Sequence, residues 1–423
     1  LTGYSRLRGP LVWPLGVLVL FHPVFKLKVI LAFAILLLYA CAQPIPEPVQ
    51  SGDIYTITVD EHSIASLPLT GPTVDPAEAE LGWLLFWDPI LSGDNKVACA
   101  TCHLPEFGYS DGLKSSIGVG GTGRGDQRVG GVEGRVARNA PTLVNAVFNG
   151  MDQDGVYDTE NAPMFWDHRA TGFSEQALGP VRSATEMRGV LISEDEIWVE
   201  VAARVNAIVE YRTRFEAVYG GEATQANITQ AIAAFESTLV ANKSRFDQWM
   251  RGDTEALSAQ EKSGLVSFFD EGCAVCHNGP MFSNYELRVL AAPDGPWVLE
   301  PDLGDGNFAF RTSSLRQLEF TAPYFHGGHV DTIEEAVEFY DNFDDDDDDD
   351  GGGGDDDDDD DDDDGTNVLN PAVDRALLDE DLQELDEDEV EDISAFLRTL
   401  SDPDYFKDEP TEVPSGLPVG GFD

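Results

Sequence analysis

Cys99-Ala100-Thr101-Cys102-His103 and Cys273-Ala274-Val275-Cys276-His277 decide how this chain is read. Both have the C-x-x-C-H spacing of covalent c-type haem attachment. The two thiols form thioethers with the porphyrin vinyls, and the histidine binds iron from the proximal side. One copy alone would also suit a redox dithiol, but the second copy argues against that. The helices ahead of the motifs repeat as well. Asp75-Pro76-Ala77-Glu78 reads as an N-cap, a proline at N1 and an acidic residue at N3, and Ser258-Ala259-Gln260-Glu261 reads as a capping box. Behind these starts, Gly82, Phe86, Trp87 and Asp88 recur with identical spacing as Gly264, Phe268, Phe269 and Asp270. Two related domains are the economical reading.

Outward from the motifs, Ile228, Ile232, Phe235 and Leu239 predict a long helix linking the halves. Val390, Ile393, Phe396, Leu397 and Leu400 predict a closing helix. No run of alternating strand residues stands out. The expected fold is mainly α, with two cytochrome c-like haem domains packed against each other at 75–240 and 241–405 and a tail at 406–423. The chain carries 79 acidic and 26 basic residues, a formal charge of −53, which excludes a nucleic-acid binder needing a basic face. Aspartates Asp344–Asp350 and Asp355–Asp364 account for part of that charge, yet the rest of the chain is acidic too. An Asp/Gly insertion over 344–365 is expected to be disordered by like-charge repulsion, weak cation binding being the alternative.

Val29 to Ala40 is an apolar run behind Lys26 and Lys28, too short to span a bilayer and suited to a signal h-region. Leu38-Tyr39-Ala40-Cys41 resembles a bacterial lipoprotein processing site, so residues 1–41 are expected to be a signal/lipoprotein segment that leaves a lipidated Cys41. An uncleaved signal anchor is the alternative. Residues 42–74 are Pro-rich and polar and are expected to be a tether. The expected location is the periplasm, with the membrane touched only through a lipid anchor.

Further motifs extend the pattern: Arg138-Asn139-Ala140-Pro141-Thr142-Leu143, Phe165-Trp166-Asp167-His168-Arg169-Ala170, Glu175-Gln176-Ala177-Leu178-Gly179-Pro180 and Glu186-Met187. Ser314-Leu315-Arg316, Thr321-Ala322-Pro323-Tyr324-Phe325-His326 and Ala395-Phe396-Leu397-Arg398-Thr399-Leu400 follow the second C-x-x-C-H. In content and order these motifs resemble the bacterial dihaem cytochrome c peroxidases and their MauG-like relatives, over about Pro76 to Pro403. The resemblance implies two covalently bound haem c groups, the first reacting with peroxide and the second receiving electrons. It assigns Glu186 and Gln176 to the distal pocket of the first haem. A carboxylate with a shifted pKa can take a proton from one peroxide oxygen and return it to the other. It assigns Trp166 to an electron relay between the haems, against the plainer reading of a core tryptophan. Asn139, Thr321 and Pro323 match residues that hold a calcium ion, the last two through main-chain oxygens.

Two departures matter. Many members of the family carry a blocking histidine soon after the first haem motif, whereas Gly118-Val119-Gly120-Gly121-Thr122-Gly123 has none. Where the family uses methionine on the second iron, this chain has Tyr340. Ile333, Val337 and Tyr340 fall on one helical face, so Tyr340 is either core or an axial ligand. His168 and His326 read as packed or hydrogen-bonding residues, and His329 receives no role.

The reading is an oxidoreductase that reduces hydrogen peroxide with electrons from a small periplasmic donor, either a cytochrome c or a copper protein. The alternatives are a MauG-like enzyme oxidising side chains of a partner protein and a plain dihaem electron carrier. A homodimer is allowed.

Overall fold

The computed structural model describes residues 45–131, 135–340, 369–378 and 385–422. Cys41, the apolar run before it and the aspartate tract lie outside the described residues. No described helix is long and apolar enough to cross a membrane. The structure is helix-rich with few strands.

The internal repeat is visible as two crossed helix pairs. Helix α1, Pro76–Trp87, starts where the Asp75 side chain accepts the Ala77 amide. Helices α2 (Gly172–Gln176), α3 (Leu178–Arg182), α4 (Ile197–Ala207) and α5 (Val209–Tyr219) precede α6, Gln225–Glu236, against which α1 packs. After the short α7 (Arg245–Met250), α8 (Ala259–Asp270) begins at the expected Ser258/Glu261 capping box. Helix α8 leads into α9 (Cys273–Cys276). Past α10 (Ile333–Glu338), α11 (Glu387–Arg398) packs on α8. The glycines of the repeat sit where these helices touch. A Cβ on Gly82 would lie 1.8 Å from the Ala231 carbonyl oxygen, and one on Gly264 would lie 1.8 Å from that of Asp392. Only hydrogen lets the backbones approach so closely. The next repeated position completes each contact: Phe86 meets Phe235 at 5.1 Å between ring centroids, and Phe268 meets Phe396 at 5.4 Å. Both pairs are edge-on, the geometry favoured by the ring quadrupoles.

Three expectations need correction. The linking helix is not long: α6 ends at Glu236, and Leu239 lies in the turn beyond it. The stretch expected to be a tether is ordered from residue 49 on. It forms an antiparallel sheet of β1 (Val49–Ser51), β2 (Ile54–Val59) and β3 (His62–Ala65). Ile57 and Ile64 pair across β2 and β3 and are buried, as are Ala65 and Leu67. This short alternation was masked by the prolines on either side. Lastly, the described residues 406–422 are docked rather than trailing. Ser415 Oγ donates to Asp88 at 2.7 Å, and Thr101 Oγ donates to the Gly420 carbonyl at 2.8 Å, directly at the first C-x-x-C-H.

A buried ion pair ties the sheet to the second half. Arg316 and Asp247 are 1% and 0% exposed and meet at 2.9 Å. The same guanidinium donates to the Pro280 and Ala65 carbonyls, and Asp247 accepts the Leu67 amide. Pro46–Asp423 accordingly forms one contact unit.

Candidate haem-binding and catalytic site

The two motifs are built alike. His103 donates its backbone N–H to the Cys99 carbonyl at 3.0 Å, and His277 donates to that of Cys273 at 2.9 Å. One helical turn therefore sets two thiols and an imidazole on the same face. Each imidazole is oriented from behind: His103 Nδ1 pairs with the Tyr109 carbonyl at 2.8 Å and His277 Nδ1 with that of Phe282 at 2.9 Å. A carbonyl accepts only, so Nδ1 carries the proton and Nε2 keeps its lone pair. Burial lowers the pKa of His103 and pulls that of His277 down to about 4, so both rings are neutral. Burial also pushes the Cys273 thiol up to about 12.

Each motif opens onto its own cavity. The first is bordered by Cys99, Cys102 and His103, the second by Cys273, Cys276 and His277. Two thiols, one neutral imidazole and an adjoining cavity fit a covalently held haem in each half.

Residues far apart in sequence converge on the first cavity. Gln176, the last residue of α2, borders it, as do Glu186 and its neighbour Met187. Glu186 lies in the turn after α3, where its amide donates to Ser183 Oγ at 3.2 Å. Burial raises its carboxyl pKa, with Arg169 opposing the shift. The glycine-rich loop holds this turn: the Val119 amide donates to the Thr185 carbonyl at 3.0 Å. A Cβ on Gly118 would come within 2.3 Å of the Glu186 carbonyl oxygen. Arg128, 3% exposed, pins the loop by donating to the Ile117, Gly118 and Gly123 carbonyls. Among the described residues, His103 is the sole histidine bordering this cavity.

Trp166 borders both cavities. It sits in the loop between β4 (Pro163–Met164) and β5 (Ala170–Thr171), where its indole donates to the Asn139 carbonyl at 3.0 Å. Asp167 braces that loop through Arg138 at 2.8 Å, and Arg138 also holds Asp302 at 2.6 Å. Strands β6 (Leu287–Arg288) and β7 (Phe310–Arg311) pair nearby, and Arg288, Phe310 and Arg311 border the second cavity.

The remaining residues divide. Asn139, Thr321 and Pro323 all border the second cavity, and Asn139 Nδ2 donates to the Leu113 carbonyl at 2.9 Å. Tyr340 borders it together with Ile333 and Val337, so the expected helical face points at the cavity. Met281 borders it too, one residue before the carbonyl that binds His277 Nδ1. His326 lies at the cavity edge, stacked on Phe310 at 3.7 Å with Nε2 3.2 Å from Asp294. His168 and His329 border neither cavity. Sequence reading missed Arg311, which borders both, and Glu236, which borders the first and is 3% exposed. Burial pushes the Glu236 carboxyl up to about 8. Neither stood out in sequence, because burial sets Glu236 apart and its place between the cavities sets Arg311 apart.

Two C-x-x-C-H turns, each with an oriented imidazole and a cavity, define a c-type cytochrome with two haem sites. The model of the di-haem cytochrome c peroxidase family matches residues 76–255, and the chain belongs to that family. It is 37% identical over 284 residues to the cytochrome c551 peroxidase of Nitrosomonas europaea, covering 64% of this chain and 75% of that protein. It is 35% identical over 295 residues to the cytochrome c peroxidase Ccp of Escherichia coli, covering 66% of this chain but only 57% of that relative. A solved MauG-like protein associated with microbial copper homeostasis shares the fold, with a TM-score of 0.58 at 23% identity, over 86% of this chain and 95% of that one. The family is one of oxidoreductases carrying two c-type haems.

Proposed function

We propose that the chain reduces hydrogen peroxide to water, taking two electrons and two protons per peroxide. One observation carries this reading: Glu186, Gln176 and Trp166 border the same cavity as Cys99, Cys102 and His103. The bound haems supply the iron centres for oxygen chemistry and electron storage. Cys99, Cys102, Cys273 and Cys276 hold the haems, and His103 and His277 bind iron through Nε2. The Glu186 carboxylate accepts a proton from peroxide and returns it to the departing oxygen, while the Gln176 amide orients the substrate. Trp166 bridges the wall, and its indole is held in place by the Asn139 carbonyl. Asn139 with the Thr321 and Pro323 main-chain oxygens forms a calcium site, a hard-oxygen set suited to that ion.

The electron donor is a small periplasmic cytochrome c or copper protein, and the strong negative charge of the chain favours one with a basic face. The protein is periplasmic and anchored through lipidated Cys41, with domains divided near residue 240.

Steady-state turnover of peroxide with a reduced cytochrome c tests the reading, and its absence would leave an electron carrier. The resting state gives a second test. With no second histidine at the first cavity among the described residues, cyanide is expected to bind the fully oxidised protein without prior reduction. An optical titration checks this. Binding only after one electron has been added would mean that another ligand blocks the iron.

Tyr340 favours a second reading, MauG-like oxidation of a partner protein. Its phenol borders the second cavity together with His277, where the family resemblance expects methionine. An anionic oxygen ligand stabilises the ferric and higher states more than a thioether does. Tyr340→Phe is expected to change the spin state of the second haem and raise its potential, followed by EPR and a redox titration. An unmoved spectrum and potential would make Tyr340 a packing residue.

A further inference from the structure

Arg311 is charged, half-buried and short of partners. Its Nη1 donates to the Pro163 carbonyl at 3.0 Å, but its Nε is buried with no partner among the described residues. None of the ion pairs among these residues includes it, although Arg138, Arg169 and Arg316 nearby each hold an aspartate. Asp167 is already engaged by Arg138 and Arg169, and the Tyr285 hydroxyl is spent on Asn149. A guanidinium whose Nε is withdrawn from water without an acceptor is costly to leave unpaired. The missing anion must therefore come from what fills the cavities. Among the described residues, Arg311 is the one cation bordering both.

We propose that Arg311 is a shared carboxylate clamp that binds propionate groups of both haems across the wall separating the two cavities. The proposal rests on the dihaem reading. Cysteines claim the vinyl edge of each porphyrin, leaving two propionates per haem in need of cationic partners. A guanidinium presents a planar fork of donors that matches carboxylates, which an ammonium does not. The Arg311 backbone reinforces the placement, since its N–H donates to the Trp166 carbonyl at 2.8 Å. The same residue thus fixes the tryptophan between the cavities and sets a positive charge beside both haems. That charge disfavours the ferric state, so Arg311 holds both potentials up.

Arg311→Gln removes the charge and keeps the backbone bond. The holoprotein is first assayed for haem content by its pyridine haemochrome absorbance, then titrated spectroelectrochemically. Two haems per chain with both midpoint potentials lowered is the expected result. Two haems with either potential unmoved would overturn the shared clamp alone. A wild-type count of one would sink the dihaem reading, and the clamp with it. Should Arg311→Gln not accumulate, Arg311→Lys decides by resonance Raman. Losing the fork while keeping the charge is expected to shift the propionate bending bands of both haems, and unchanged bands would overturn the proposal.

Discussion

Glu186→Gln is expected to retain both haems and lose peroxide turnover by about 10²-fold or more, the scale of a lost general acid–base group. The substitution is nearly isosteric, so the turn held by Ser183 and by the Val119 amide should persist. What disappears is the ability to accept a proton and give it back. Burial raises the Glu186 pKa, so peroxide turnover in the wild type should fall as pH drops through a value above the ordinary carboxylate range. That acid limb should vanish in the variant. Gln176→Leu, which removes an orienting amide but no proton carrier, is expected to be milder. Stopped-flow peroxide mixing, with haem content measured on the same samples, checks all three expectations. Near-normal turnover in Glu186→Gln would remove Glu186 from the chemistry.

Asp247→Ala is expected to destabilise the protein by about 3–5 kcal/mol, the cost of stranding one member of a buried ion pair. Arg316, 1% exposed, would keep only its carbonyl partners Pro280 and Ala65. The Leu67 amide and the Ser244 hydroxyl would lose their acceptor in the same step. A fall in thermal and denaturant midpoints with haem content retained is the readout. Glu80→Ala supplies the contrast. Its pair with Arg214 is solvent-exposed at 56% and 31%, so the loss should stay below about 1 kcal/mol. Equal effects from the two substitutions would mean that the buried pair contributes nothing special.

Much of this was legible in the sequence because it is encoded over short distances. Two thiols and an imidazole at positions i, i+3 and i+4 reach one face of a single turn, and no distant contact is needed to arrange them. The capping box at Ser258 likewise depends on residues three apart. The repeated glycine and phenylalanine of α1 and α8 announced two equivalent helix crossings, since a close backbone approach demands glycine wherever it occurs. By contrast, no local spacing rule could bring Glu186, Gln176 and Trp166 to His103; the family resemblance implied that grouping, and the tertiary structure shows it at one cavity. Their motifs are separated by loops whose paths depend on packing. It also turned the expected tether into a sheet, where Ile57 and Ile64 find burial that their Pro-rich surroundings did not suggest. Arg311 is the sharpest case. In sequence it is one arginine among many, and its importance lies in bordering two cavities without a carboxylate partner. Burial and missing partners are properties of the folded surroundings, so no spacing rule along the chain can express them.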